Sequence, residues 1–291
     1  MSIPPRSTSL NSSSKIGVFD SGVGGLTVLK EIARKLPQES VIYFGDTARV
    51  PYGNRSKKEI LRFVREIITW MIELDVKMIL MACNTSSALV LEEVRSEFPI
   101  PILGIILPGA RAAVRSGNNI GVISTQATAD SNAYKQAVHE INPAIKVWQQ
   151  GCPDFVPLIE SDRIYDPYTL AVAKRYIEPL ITNGIDTLVY GCTHYPHLAP
   201  VFKQILPSSI TLVNPAIHLT TAAQQELEIL GLSRPKTSTM PGKTEFYVSG
   251  NPEHFAQVSK QWLGYQPQVS QVSVEVLESI HAASSQAVSE R

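Results

Sequence analysis

The chain carries no net charge: 26 Lys and Arg balance 26 Asp and Glu in 291 residues. Nothing in that balance draws it to nucleic acid or to an anionic membrane surface, and neither is expected as a partner. No apolar run approaches the ~18–20 residues of a membrane span, and none follows a basic start as in a signal peptide. Three cysteines in so long a chain offer neither a disulfide framework nor a Cys-x-x-Cys metal pair, which points to a reducing, cytoplasmic setting. Asn11-Ser12-Ser13 and Asn84-Thr85-Ser86 match the glycosylation pattern and are read as chance matches in a chain without export. What the sequence does have is apolar content: 44% hydrophobic residues suffice for a full globular core of one large or two medium domains.

Residues 1–14 are rich in Ser and Pro without a hydrophobic period and read as a disordered leader. From Lys15 onward, strand-like and helix-like stretches alternate. Strand-like runs fall near 15–19, 40–44, 77–82, 102–106, 119–124, 145–149, 186–190, 210–213 and 244–248. The clearest helix is 57–74, where Ile60, Phe63, Val64, Ile67, Met71 and Leu74 share a face behind the capping-box pattern Ser56-x-x-Glu59. Asp166-Pro167 supplies a second helix start. The alternation predicts an α/β fold with mostly parallel sheets flanked by helices. We expect divisions near 105 and 215, giving a first domain of residues 15–105 plus 216–265 and a second of 106–215. The stretch 266–291, rich in Ser, Gln, Val and Ala, reads as a partly mobile tail.

Two cassettes stand out. One runs Met78-Ile79-Leu80-Met81-Ala82-Cys83-Asn84-Thr85, the other Thr187-Leu188-Val189-Tyr190-Gly191-Cys192-Thr193-His194. In each, an apolar run ends in a small residue, a cysteine and short polar side chains, followed by a helix-like stretch. That places each thiol at the carboxyl end of a strand, where ligand sites form in open α/β sheets. It also places each near a helix amino terminus, whose dipole favours thiolate. Two thiols so placed, one per domain, suggest a reaction needing one sulfur on each side of a substrate. A buried cysteine is more often only a small apolar residue. Here Asn84, Thr85, Ser86 and Ser87 after one thiol, and Thr193 and His194 after the other, are poor core residues and good hydrogen-bonding groups. Cys152, in Gly151-Cys152-Pro153, has no such followers and reads as structural.

Gly17-Val18-Phe19-Asp20-Ser21-Gly22-Val23-Gly24-Gly25-Leu26 resembles a dinucleotide fingerprint until Thr27 occupies the third glycine position. A carboxylate and a hydroxyl at a strand end suit an ammonium group better; a turn with Asp20 capping the helix is the plainer reading. Gly242-Lys243-Thr244 lacks the earlier glycine of a phosphate loop. The loop from Tyr43 through Asp46 to Pro51-Tyr52-Gly53 is shaped by Pro and Gly, and its exposed N–H groups suit a carboxylate. Cys192, His194 and His197 have the residue types of zinc ligands without a common structural spacing, and no metal is expected.

Asp20-Ser21-Gly22-Val23-Gly24-Gly25, Pro51-Tyr52-Gly53, Ala82-Cys83-Asn84-Thr85 and Gly191-Cys192-Thr193-His194-Tyr195-Pro196 are similar, in this order, to the motifs of the glutamate racemases. These are the cofactor-independent members of the aspartate/glutamate racemase superfamily. The resemblance covers roughly residues 15–265. It implies two similar α/β domains with the active site in the cleft between them, and production of D-glutamate for peptidoglycan without a cofactor. A homodimer is expected. It implies Cys83 and Cys192 as the two acid/base thiols, with Asp20, His194, Asp46 and Glu160 as supporting groups. Asp20, Ser21, Pro51, Tyr52, Gly53, Asn84, Thr85, Thr125, Thr128, Thr193 and His194 would hold the substrate. Ala127 stands where the family usually has Gly, and Asn214 where it usually has Asp. Two functions compete with glutamate racemisation. Aspartate racemisation differs by one methylene, worth only ~1–3 kcal/mol of discrimination. A non-catalytic binding protein of this fold is the other, and the intact pair of cysteines weighs against it.

Overall fold

The structure is a computed structural model and describes residues 10–235 and 241–289. In chain order it opens with β1 (Lys15–Asp20), α1 (Leu26–Lys35), β2 (Val41–Gly45), α2 (Lys57–Glu73), β3 (Val76–Met81), α3 (Asn84–Glu97) and β4 (Ile102–Gly104). Next come α4 (Ile106–Ser116), β5 (Asn119–Ser124), α5 (Gln126–Asp130), α6 (Ala133–Ile141), β6 (Lys146–Gly151) and α7 (Phe155–Glu160). Then follow α8 (Pro167–Thr182), β7 (Thr187–Gly191), α9 (Ala199–Phe202), β8 (Thr211–Val213) and α10 (Pro215–Ile229). The chain closes with β9 (Thr244–Val248), α11 (Pro252–Leu263), β10 (Val269–Gln271) and α12 (Val274–Ser289).

The strands form two sheets, one ordered β10-β9-β2-β1-β3-β4 and the other β6-β5-β7-β8. Every pairing in both is parallel. Parallel strands need crossovers, and the helices that supply them cover the faces, so the central strands β1, β2, β3 and β7 are buried almost throughout. In both sheets the parallel direction gathers the carboxyl ends along one edge. Cys83 follows β3 there, and Cys192 follows β7.

Local chemistry sets the helix starts. Ser56 and Glu59 form the reciprocal capping box on α2, and Ile60, Phe63, Val64, Ile67 and Met71 bury the face that the periodicity predicts. Asp166 caps α8 through Tyr168 N–H at 2.8 Å, with Pro167 in the first turn. Asn214 accepts from Ala216 N–H at 3.1 Å, so it caps α10 as an aspartate would.

Both ends of the chain differ from expectation. Of the leader, residues 1–9 lie outside the described residues, but Asn11–Ser14 form an ordered turn. The Ser12 carbonyl accepts from Lys77 at 2.9 Å and the Ser13 carbonyl from Arg234 at 2.7 Å. Lys77 is fully buried beside Glu39, and its remaining protons need acceptors that composition does not reveal. The tail is part of the first sheet's layer: β10 pairs with β9, and α12 packs Leu277, fully buried, on the α2 side. Its core-packing residues, Leu277 with Val272 and Ile280 beside it, are spaced among Ser, Gln, Ala and other Val residues, which hid the helix.

Candidate active site

Cys83 is the residue immediately before α3, at the end of the fully buried β3. Its thiol lies 3.8 Å from the Ser21 hydroxyl. The expectation that the helix would favour thiolate here is overturned: burial, then the Asp20 carboxylate, push the thiol up to about 11. Hydrogen bonds from Ser86 N–H and Ser21 pull the other way without prevailing. The hydroxyls of Ser86 and Ser87 are turned back onto the carbonyls of Cys83 and Met81, so they are not donors to a ligand. Asn84 is. Tyr134 donates to its Oδ1 at 2.7 Å, and that contact orients the amide while Nδ2 stays buried without a partner.

Cys192 follows β7, but no α-helix begins beside it. Thr193 and His194 form a turn that runs into a short 3-10 turn, Tyr195–Leu198. Its polar partner is His194, whose Nδ1 lies 3.8 Å from the sulfur and whose Nε2 lies 2.9 Å from Glu160 Oε1. Burial alone would lower the imidazole; the hydrogen bonds to Cys192 and Glu160 and their charges outweigh it and lift His194 to about 10. Cys192, His194 and Glu160 thus form a line from a buried sulfur to a carboxylate with 40% of its side chain exposed. A cavity of about 160 Å³, lined in part by Gly22, Val50, Glu160 and His254, opens beside Glu160.

Asp20 joins the two cassettes. It is fully buried, accepts from Gly22 N–H at 3.0 Å, and receives the Thr193 hydroxyl at 3.2 Å. Burial raises its pKa despite the nearby His194 charge. Thr27, at the start of α1, donates to the Thr193 carbonyl at 3.2 Å. The glycines between explain themselves. A Cβ on Gly24 would lie 2.2 Å from Thr193 Oγ1 and 2.5 Å from His194 Nδ1; on Gly25 it would lie 2.6 Å from Asp20 Cβ. These glycines let the second cassette close onto the first, and neither cradles a phosphate.

A second crossing starts two residues beyond Cys83. The Thr85 hydroxyl is 2.9 Å from that of Thr125 and 3.2 Å from that of Thr128, and Thr125 also caps α5. Gly53 approaches the same point, its Cβ position 3.7 Å from Thr125 Cβ. Pro51 is exposed and Tyr52 buried, so the main chain rather than the Tyr52 ring faces the second sheet. Asp46 departs from expectation. Its carboxylate takes both Arg49 Nε, at 2.8 and 3.0 Å, and the hydroxyls of Ser249 and Tyr52. It serves that loop, and no contact with either thiol is left to it.

Sequence reasoning passed over Arg49, Tyr134, Ser249 and Trp262. Trp262, on α11, meets the His194 ring edge-on at 5.4 Å and packs on His197 at 3.9 Å. His197 is thus a packing residue, pushed down to about 4 by burial and the His194 charge. Ser249 could have been found, because it ends the run 244–248 just before Asn251-Pro252, the same strand–turn–helix order as the cassettes. Cys152 is buried against the Gln150 carbonyl, 3.5 Å away. Among the described residues, no three His, Cys, Asp or Glu side chains cluster so as to hold a metal ion. No helix among them is long and apolar enough to cross a membrane.

Each thiol thus follows the carboxyl end of a buried parallel strand, and Thr193 beside one of them reaches Asp20 beside the other. The Asp/Glu/Hydantoin racemase family matches residues 16–225. The chain belongs to that family. It is 64% identical over 267 residues to the glutamate racemase of Synechocystis sp., covering 92% of this chain and 95% of that one. Among solved structures it is similar to a glutamate racemase of Bacillus anthracis, with a TM-score of 0.87 at 37% identity over 91% of this chain and 100% of that one. A Francisella tularensis glutamate racemase in complex with D-glutamate gives 0.85 at 35% identity, over 92% and 99%.

Proposed function

We propose that this protein interconverts L- and D-glutamate with Cys83 and Cys192 as opposed acid and base, supplying D-glutamate for peptidoglycan from the cytoplasm, as a homodimer. The observation that carries this reading is the closure of the two cassettes, Thr193 onto Asp20, with a thiol on either side. The 64% identity to a glutamate racemase favours glutamate over aspartate.

Starting from L-glutamate, the Cys192 thiolate takes the α proton, with the His194 imidazolium balancing the charge at the sulfur. The electron pair left on carbon spreads onto the α-carboxylate. Asn84 Nδ2, oriented by Tyr134, and the N–H groups at the start of α3 are fixed donors for that charge. The Cys83 thiol then gives its proton to the opposite face and becomes thiolate; D-glutamate leaves, and solvent exchange resets both sulfurs. Asp20 and Ser21 attend Cys83 as His194 and Glu160 attend Cys192. The domains would be 15–105 plus 216–265 and 106–215, each carrying one thiol.

The test is the isotope pattern in heavy water at low conversion. D-glutamate formed from L-glutamate should carry deuterium at the α carbon while recovered L-glutamate stays unlabelled, and the reverse should hold from D-glutamate. Extensive label in recovered substrate from both directions would rule out separate thiols on opposite faces.

A further inference from the structure

The loop between β2 and α2 is built inside out. Asp46, Arg49 and Tyr52 are buried, while Pro51 is exposed and the partly exposed Gly53 lies against Thr125 of the second sheet's layer. We propose that Arg49 is a positioning residue that fixes the Pro51–Gly53 main chain for the substrate from behind. This rests on the racemase reading above and assigns it a residue outside the motifs.

The geometry is that of a clamp. Arg49 Nε holds the Asp46 carboxylate, and Arg49 Nη1 holds Glu66, on α2. The guanidinium lies over the Phe63 ring, 4.2 Å from its centre. Asp46 in turn receives the Tyr52 hydroxyl and, at 2.7 Å, Ser249 Oγ from the end of β9. Ser249 Oγ also accepts from Ala48 N–H at 2.9 Å. Six side chains from three elements thus converge behind one short segment. Tyr52 is drawn inward by this set, which leaves the main chain of residues 51–53 opposite Thr125 and, through it, Thr85.

Two features make the residue specifically an arginine. Its planar fork addresses two carboxylates in two directions at once, which a lysine ammonium on a flexible stem cannot reproduce. It also places a permanent cation between two buried carboxylates that would otherwise oppose the approach of an anionic substrate. The clamp touches neither thiol, so loosening it should act on how substrate is held and leave the proton transfers alone.

The experiment compares wild type, Arg49→Lys and Ser249→Ala in racemisation of L- and D-glutamate followed by circular dichroism. Arg49→Lys should raise KM for both enantiomers by ~10- to 100-fold, the range for losing a charge-assisted buried hydrogen bond, with kcat within about threefold of wild type. Ser249→Ala removes one donor to Asp46 and should give the same split at a few-fold. If Arg49→Lys does not fold, Ser249→Ala carries the test alone. Unchanged KM in the folded variants, or loss confined to kcat, overturns the positioning role while leaving an active wild type as a racemase. Wild type inert towards both enantiomers overturns the functional reading and this inference with it.

Discussion

Cys83 leads straight into a 14-residue helix, whereas Cys192 is followed by two turn residues and a short 3-10 turn. The flanking sequences are alike, yet the polar surroundings are of opposite kinds. Around Cys83 stand a carboxylate, Asp20, and a hydroxyl, Ser21, in a site whose burial holds the proton on sulfur. Around Cys192 stands His194, whose pKa the hydrogen bonds to Cys192 and then to Glu160 lift to about 10. Two cassettes alike in sequence are therefore set in unlike surroundings. The two sulfurs share the strand-end position but not their surroundings: burial dominates at Cys83, and at Cys192 the polar neighbour is His194, itself bonded to a half-exposed Glu160.

The largest effect expected is loss of either sulfur. Cys83→Ser and Cys192→Ser should each lower turnover by ~10²–10⁴ in both directions, the usual worth of a positioned acid or base. Racemisation has an equilibrium constant near unity, so kcat/KM must fall equally from L- and D-glutamate, and assays from both sides check each other. Turnover near wild type in either folded variant would break the comparison at its root.

Next is the contact between the half-sites. Gly24→Ala would drive a methyl group into Thr193 and His194, and displacement by ~1 Å at such a site costs about 10²-fold. Gly53→Ala, whose methyl meets Thr125 at ordinary contact distance, 3.7 Å, should cost far less. Equal kinetics for the two alanine variants would mean that the closed arrangement of the cassettes does not matter for turnover.

A smaller effect separates the half-sites by pH. His194 goes from an ordinary 6.5 to about 10 on folding, and the Cys83 thiol from 9.0 to about 11. Both are raised, so the folded state keeps a proton that the unfolded chain has lost. The stability this supplies is complete below the unfolded values and is lost as pH rises through the folded ones. His194 governs the window from 6.5 to about 10, Cys83 the one from 9.0 to about 11. Urea unfolding of wild type should show stability declining between pH 7 and 9, below the Cys83 window, with a slope approaching about one proton. His194→Asn should flatten that slope and Cys83→Ser should leave it. An unchanged slope in His194→Asn would remove the charged imidazole from the account of Cys192.

The same comparison shows what a sequence can carry. The alternation of strand and helix, the strand-end stations of both thiols and the cap of α2 were legible because each depends on residues within a few positions of one another. Asp20 and His194 were legible by resemblance, and their separate partners in the structure bear on why. Trp262 against His194, Tyr134 on Asn84 and Ser249 on Asp46 were not legible, since each joins residues 50 to about 200 positions apart in a closed fold. Asp46 was read as support for a thiol because a motif gives proximity to a site without direction; its lone pairs point at Arg49, Tyr52 and Ser249. The polar followers Ser86 and Ser87 misled in the same way, their hydroxyls being spent on the turn that carries them.

The smallest effect belongs to the third cysteine, which has a strand end but no cassette. Cys152 follows β6, is almost fully buried, and has its thiol raised by burial, with the Gln150 carbonyl at 3.5 Å as its polar neighbour. In Cys152→Ser the hydroxyl inherits that acceptor, so the substitution buries no unpaired donor and costs stability only about 1 kcal/mol or less. Its carbonyl still receives the Tyr195 hydroxyl at 3.0 Å, so the chain just past Cys192 keeps its support. Racemisation should stay within about twofold of wild type in both directions. A loss like that of the two cassette cysteines would mean that strand-end burial, and not the unlike partners of Cys83 and Cys192, sets which sulfur reacts.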